Sequence, residues 1–274
     1  MSVASRAKRV TTNTLQEMKG NGEKIAMLTA YDFSLARLVD ASGIDVILVG
    51  DSASNVMAGH ETTVPITLDQ MIYHAQSVVR AVQRALVVVD MPFGTYQSDS
   101  NNALKSAIRI MKETGGHAVK LEGGAEVLSS IRKIIDAGIP VMGHLGLTPQ
   151  AVHRLGYRRQ ATDAISQERL VDQARTLEQK GCFSLVLEHV PAELACRVQQ
   201  ALTIPVIGIG AGDGCDGQVR VTADLLGLTA KQPPFSPALV DGRRLFIDAL
   251  KGWVQQTRNN TLPTTESPQS APDC

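Results

Sequence analysis

The stretch Leu86-Val-Val-Val-Asp-Met91 shows the pattern that decides the fold, a short β-branched run that ends in an acid. A short apolar run without polar alternation is typical of a strand buried on both faces, as in a parallel sheet. Similar runs recur at 25–30, 46–50, 118–123, 140–146, 184–190 and 205–212, and a weaker one begins at Gln218. The chain therefore contains eight candidate strands.

Helical stretches separate most of these strands. Thr67-Leu-Asp-Gln70 has the composition of a capping box and predicts a helix that runs to about Gln83. Alternating strands and helices predict an α/β fold with a parallel sheet, and about eight units favour a closed (β/α)8 TIM barrel. Further helices are predicted at 14–19, 103–114, 126–137 and 167–180, the last three followed by Gly115, Gly138 and Gly181, where a positive φ is favoured.

The length of 274 residues is typical of one such barrel, which we expect over residues 11–256. Residues 1–10 are expected to form a loose N-terminus. Residues 257–274 are rich in Thr, Pro, Ser and Asn and are expected to form a disordered tail.

The charge balance excludes several function classes. Lys plus Arg is 27 and Asp plus Glu is 27, so the chain lacks the basic excess of a nucleic-acid-binding protein. No apolar run approaches the roughly 18 residues of a membrane span. Four cysteines without metal-site spacing or an apolar leader favour free thiols and a cytoplasmic location.

Four of the predicted strands end in an acid, namely Asp51, Asp90, Glu122 and Glu188. A barrel brings the carboxyl ends of all its strands to one mouth, where active sites lie. One such acid often only caps the next helix, but four converging carboxylates repel each other unless a cation lies among them. Oxygen ligands without cysteine suit Mg²⁺. The pattern therefore favours a metal site in the mouth, with Glu188 facing the other three acids.

Two basic residues are predicted to point into the same mouth. Lys120 lies two residues before Glu122, so both face the barrel interior. A lysine there is costly unless it is paired or binds an anion. His144 lies at the end of the fifth strand; a lone histidine is more often structural, but this position makes it a candidate for substrate binding.

Eight strings of residues carry a resemblance to a known family. They are MLTAYD, VGDS, GHETTVPITLDQM, VDMPFG, VKLEGG, GHLGLTPQ, LEHVPAELA and IPVIGIGAG, in this order. Together they closely resemble the ketopantoate hydroxymethyltransferase family over about residues 11–250. The sequence differs from the commonest family pattern at Ala53-Ser54, at Ala161-Thr162 and at Ala223.

The resemblance implies a barrel of the phosphoenolpyruvate/pyruvate type that assembles as a homodecamer. It implies transfer of a hydroxymethyl group from 5,10-methylenetetrahydrofolate to 3-methyl-2-oxobutanoate, which gives 2-dehydropantoate for pantothenate biosynthesis. By the same resemblance, Asp51, Asp90 and Glu122 would bind Mg²⁺. The 2-oxo acid would be contacted by Asp51, Ser52, Asp90 and Lys120, and Glu188 would accept its proton.

The residue chemistry is consistent with this reaction. A 2-oxo acid can chelate Mg²⁺, which then stabilises the enolate oxygen as a Lewis acid. Lys120 adds positive charge beside the developing anion, and Glu188 can remove the C3 proton.

Two alternatives remain at this point. The first is another metal-dependent 2-oxo acid aldolase, lyase or mutase on the same barrel, which needs no folate. The second is a degenerate barrel kept as an assembly or binding protein, which should lack a ligand or the base. Nothing in the residue pattern marks a folate pocket.

Overall fold

The computed structural model describes residues 8–230, 232–233 and 235–259. Eight parallel strands close into one barrel and follow each other around it in sequence order, which confirms the predicted (β/α)8 fold. The strands are β1 (Ile25–Thr29), β2 (Val46–Val49), β3 (Leu86–Asp90), β4 (Ala118–Glu122), β5 (Val141–Gly146), β6 (Ser184–Glu188), β7 (Val206–Ile209) and β8 (Gly217–Arg220).

Helices alternate with the strands. Short 3₁₀ turns occur at Ala125–Val127 and Pro149–Ala151. Among the described residues, no helix has both the length and the apolar character of a membrane span. The α-helices are α1 (Thr12–Gly20), α2 (Phe33–Ala41), α3 (Ala53–Val56), α4 (Leu68–Ala81), α5 (Ser100–Thr114), α6 (Leu128–Asp136), α7 (Val152–Leu155), α8 (Ala164–Gln179), α9 (Ala192–Ala201), α10 (Thr222–Leu225) and α11 (Gly242–Arg258).

The helix ends form for the local reasons that the sequence indicates. At the start of α4, the Thr67 hydroxyl accepts the Gln70 N–H at 3.2 Å, and the Gln70 side chain accepts the Thr67 N–H at 2.8 Å. This reciprocal pair is the predicted capping box. The glycines after α5, α6 and α8 adopt positive φ angles of 74°, 87° and 102°.

Alternate residues of each strand face the inside of the barrel. In β3, Leu86 and Val88 belong to the inner apolar cluster, whereas Val87 and Val89 pack between strands and helices. Asp90 continues the inward series at the carboxyl end of the strand. The opposite end is closed by α1, whose Leu15 packs into the inner cluster. Because every second residue of a strand faces inward, the inward-facing side chains are polar at the mouth and apolar below it.

The chain divides into two compact units, of which the first contains the barrel strands and ends at Val221 and the second begins at Thr222. The second unit contains α10 and α11. Because α11 runs to Arg258, the predicted tail boundary at residue 257 falls within its last turn. Residues 260–274 and 1–7 lie outside the described residues. Val10, which the composition assigns to a loose N-terminus, is instead buried and donates its N–H to the Arg84 carbonyl at 2.8 Å.

Candidate active site

A cavity of about 150 Å³ lies inside the carboxyl end of the barrel. We call it the mouth cavity. Its volume is well below the roughly 300–1,000 Å³ of pockets for drug-sized ligands, which indicates a small substrate. The structure brings all the predicted site residues to this cavity: Asp51, Ser52, Asp90, Lys120, Glu122, His144 and Glu188.

Asp90 on β3, Lys120 on β4 and Asp51, two residues after the end of β2, form a buried group. Asp90 pairs in register with Lys120, and the Lys120 Nζ donates to Asp90 Oδ1 at 2.7 Å. The other Asp90 oxygen accepts the backbone N–H of Asp51 at 3.0 Å. Burial alone would lower the pKa of Lys120, but the charges of Asp90, Glu122 and Asp51 outweigh it and raise that pKa above its ordinary value. The ammonium group is therefore cationic.

A second chain of charges runs across β4, β5 and β6. Glu122 pairs in register with His144. The His144 ring lies between two carboxylates, with Nδ1 3.5 Å from Glu122 Oε1 and Nε2 3.4 Å from Glu188 Oε2. These are ion-pair distances without well-aligned hydrogen bonds. Glu188 is thus joined to the other acids through His144, a link that sequence reasoning did not predict.

The surroundings of His144 favour its charged form. Burial and the positive charge of Lys120 lower the pKa of His144, but Glu122 and Glu188 outweigh them and raise it to about 9. In turn, burial would raise the pKa of Glu122, and His144, Lys120 and the Gln150 N–H together hold it below its ordinary value. These surroundings therefore favour the carboxylate form of Glu122 and the imidazolium form of His144.

Gln150 is a site residue that sequence reasoning missed. Its Nε2 donates to Asp51 Oδ2 at 2.8 Å and to the Met91 carbonyl at 2.9 Å. Its backbone N–H donates to Glu122 Oε2 at 3.0 Å, and its Oε1 accepts the Tyr96 hydroxyl at 2.7 Å. Gln150 therefore orients two carboxylates that belong to different strands. The quoted string GHLGLTPQ ends on this residue, but strand-end reasoning looks only for charged groups.

The remaining lining of the cavity contains both polar and apolar side chains. Ser52 exchanges a hydrogen bond of 2.8 Å with the Tyr31 hydroxyl, and Tyr157 lies on the rim and is 58% exposed. The lining also includes an apolar wall of Leu48, Val186, Ile209, Val219 and Val221. Such a cavity suits a small acid with a polar head and a branched aliphatic end.

The carboxylates do not form a closed metal cage by themselves. Among the residues that the structure describes, no three Asp, Glu, His or Cys side chains converge on one ion position. Negative charge is nevertheless crowded around Asp51. Burial and the charges of Asp90 and Glu122 raise the pKa of Asp51 well above its usual range, although Lys120 and Gln150 lower it. Hard oxygen donors with excess negative charge fit a divalent cation whose other ligands come from substrate and water.

The fold of the chain is similar to that of known enzymes. A solved structure described as 2,3-dimethylmalate lyase, a PEP mutase/isocitrate lyase superfamily member, superposes with a TM-score of 0.57 at 15% sequence identity. The match covers 94% of this chain and 91% of that chain. The predicted phosphoenolpyruvate/pyruvate type of barrel is thus confirmed as a fold.

Sequence comparisons are more specific. The family model of ketopantoate hydroxymethyltransferase matches residues 9–265. A relative from Synechococcus sp. (strain CC9605), named 3-methyl-2-oxobutanoate hydroxymethyltransferase, is 68% identical over 91% of this chain and 94% of its own length. A relative of the same name from Christiangramia forsetii is 60% identical over 97% of this chain and 99% of its own. With four mouth acids in place and identity of this extent, the chain belongs to the ketopantoate hydroxymethyltransferase family, as the motifs predicted.

Proposed function

We propose that the mouth cavity binds 3-methyl-2-oxobutanoate and that the chain transfers to it a hydroxymethyl group from 5,10-methylenetetrahydrofolate, giving 2-dehydropantoate. One observation carries the proposal. In a member of this family, a single small cavity combines a candidate base, a buried lysine and three further carboxylates with an apolar wall. The isopropyl group of the substrate suits that wall, and its 2-oxo acid head suits the polar side chains.

Asp51, Asp90 and Glu122 are the residues that would hold Mg²⁺. The crowding of negative charge around Asp51 supports this assignment, because a divalent cation would relieve it. Substrate and water would supply the other ligands of the ion, as they commonly do at Mg²⁺ sites. When bound, the ion supplies Lewis-acid polarisation of the 2-oxo group.

Glu188 is proposed as the general base. Its side chain is 15% exposed at the end of β6, so it can reach a substrate in the cavity. The carboxylate takes the C3 proton, the C–H electron pair moves into the C2–C3 bond, and the oxo oxygen becomes negative beside Lys120. C3 then forms a bond to the methylene carbon of the donor as one of the two bonds from that carbon to folate nitrogen breaks. Water displaces the second nitrogen and becomes the hydroxyl group. The C3 proton and one proton of the water end on the two folate nitrogens, which gives tetrahydrofolate.

Ser52, Lys120 and His144 are proposed to contact the oxo acid together with Asp51 and Asp90. Ser52 has a hydroxyl at the cavity wall, and Lys120 offers a buried positive charge. His144 has a further effect, because its imidazolium lies between Glu122 and Glu188 and orients the base.

Replacing Glu188 by Gln tests the base directly. Glutamine keeps the shape of the side chain but cannot accept a proton at neutral pH. With the 2-oxo acid and Mg²⁺ but no folate, we expect exchange of the C3 proton for deuterium, followed by NMR, to fall by roughly two to four orders of magnitude. Mg²⁺-dependent binding of the oxo acid, measured by calorimetry, should persist.

The control for this experiment is Glu193→Gln, an exposed glutamate in the first turn of α9. It should exchange at the wild-type rate. Exchange by Glu188→Gln at the wild-type rate would show that Glu188 is not the base, and loss of binding together with exchange would assign Glu188 to the metal site. The donor is tested by product analysis with and without 5,10-methylenetetrahydrofolate. We expect 2-dehydropantoate to form only when this donor is supplied.

We also propose that the chain forms a homo-oligomer, a decamer by family resemblance, in the cytoplasm. The second unit exposes large apolar side chains on α11, including Phe246, Leu250 and Trp253 at 60–63%. Contiguous apolar surface of this kind marks interaction sites. Cys182, Cys196 and Cys215 are free thiols, which supports a reducing compartment.

A further inference from the structure

A second cavity, of about 570 Å³, lies against the outer side of the end of β5. We call it the outer cavity. Its wall includes Leu145, which packs in the layer between strands and helices, whereas the neighbouring His144 lines the mouth cavity. The loop that begins at Gly124 and the face of α8 from Ser166 to Gln173 complete the wall. The outer cavity is thus separate from the mouth cavity but adjoins it.

The outer cavity presents unpaired positive charge. Arg154 of α7 and Arg169 of α8 line it, and both are exposed. Neither guanidinium forms an ion pair or a hydrogen bond with the part of the chain that the structure describes. Glu126 also lines the cavity, so the two arginines leave one net positive charge. Gln160 and Gln173 add amide groups. This lining suits an anionic ligand with further polar atoms.

One segment connects the two cavities. Arg154, Leu155 and Gln160 line the outer cavity, while Tyr157, in the middle of the same segment, lines the mouth cavity. Gly156, with a φ of 65°, turns the chain between them. A ligand that passes this segment can therefore have one end in each cavity.

We propose that the outer cavity binds the p-aminobenzoyl-glutamate part of the folate donor, with Arg154 and Arg169 pairing with its carboxylates. This inference rests on the proposed function, since it places the tail of the proposed co-substrate. Arginine is the side chain best suited to bidentate carboxylate recognition, and a volume of about 570 Å³ lies in the range of ligand pockets. The pterin end, which carries the one-carbon unit, then extends towards the mouth cavity.

The test compares tetrahydrofolate, which has the tail, with 6-methyltetrahydropterin, which lacks it. For Arg154→Gln and Arg169→Gln we expect the Kd of tetrahydrofolate to rise about tenfold each, the usual size of a lost charge-assisted hydrogen bond near the surface. The double variant should weaken binding by about a hundredfold. The Kd of 6-methyltetrahydropterin and the Mg²⁺-dependent binding of the oxo acid should not change.

Arg175→Gln is the matched control. Arg175 lies on the same helix, but it pairs with Asp172 at 3.7 Å and does not line the cavity. Its variant should bind tetrahydrofolate like the wild type. Wild-type affinity in the Arg154 and Arg169 variants would overturn the assignment, as would an equal loss for the ligand without a tail. If the wild type binds no tetrahydrofolate, the proposed donor fails as well, and deuterium exchange of the oxo acid still reports on the mouth cavity.

Discussion

At the scale of single residues, the mouth alternates negative and positive side chains along three neighbouring strands. Going from β4 to β6, Glu122, His144 and Glu188 follow each other at ion-pair distances. Buried charges are tolerated only when each has a partner. Removing one member therefore leaves another unpaired, so a loss of activity alone cannot assign a role here. Binding and exchange have to be measured separately.

Gln150 offers a prediction about the metal site that does not depend on turnover. In Gln150→Leu, Asp51 loses the side-chain donor that orients it, while the backbone N–H to Glu122 remains. Partners that orient a ligand typically contribute 10–100-fold to metal affinity, so we expect the Kd of Mg²⁺, measured by calorimetry, to rise by about that factor.

Gln97→Leu is the control for this variant. Gln97 also donates to Gln150 Oε1, at 2.9 Å, but it is exposed and forms no hydrogen bond to a carboxylate of the described residues. Its Mg²⁺ affinity should stay near the wild-type value. Equal losses in the two variants would show that Gln150 acts through general packing of the loop.

The charged residues of the site could be predicted from sequence because they follow strand periodicity and strand ends. Gln150 and Tyr96 could not, because they lie outside the strands and their hydrogen-bond partners are distant in sequence. Gln150 is 99 positions from Asp51 and 54 positions from Tyr96. The place of His144 between two carboxylates depends on the register of β4, β5 and β6. No local pattern encodes that register.

At the scale of elements, Gly146 at the end of β5 controls how closely β6 approaches. Its φ is 94°, and a Cβ there would lie 2.2 Å from the Glu188 carbonyl oxygen and 2.9 Å from Val190. Gly146→Ala should therefore lose about 1–2 kcal/mol from the left-handed backbone and more from the clash. Urea unfolding measures the total.

Gly138 supplies the matched control for this prediction. Its φ is 87°, and a Cβ at that position would have no neighbouring atom within 4 Å. Gly138→Ala should show the backbone cost alone. If both variants lose the same stability, the contact between β5 and β6 is not a constraint. Deuterium exchange of the oxo acid in Gly146→Ala then reports whether Glu188 has moved.

The strands were predicted well because each is a continuous apolar run bounded by turns. The helices α3 and α7 have four residues each, too few for a helical period, and no pattern marked them. For α11, the polar composition from residue 257 onward indicated a tail, yet the helix extends to Arg258. A helix end depends on hydrogen bonds such as that from the Asn259 N–H to Gln255, which composition does not show.

At the scale of the whole molecule, the exposed row on α11 predicts self-association. Phe246, Leu250 and Trp253 recur at helical spacing, and all are exposed. Replacing Phe246 and Trp253 together by Glu should reduce the oligomer, and light scattering coupled to size exclusion should report a smaller mass. Lys251→Glu on another face is the control and should keep the wild-type mass. An unchanged mass in the double variant would exclude this row as the interface.

The closure of the barrel has a consequence for synthesis of the chain. β1 pairs with β8 along Ile25–Leu28, and these partners lie about 190 residues apart in the sequence. At the roughly 5–20 residues per second of translation, one edge of β1 waits on the order of 10–40 s for its partner. Until then its backbone groups form an open sheet edge, the kind of surface that pairs with other chains. About four-fifths of the chain must therefore leave the ribosome before the molecule protects its own first strand.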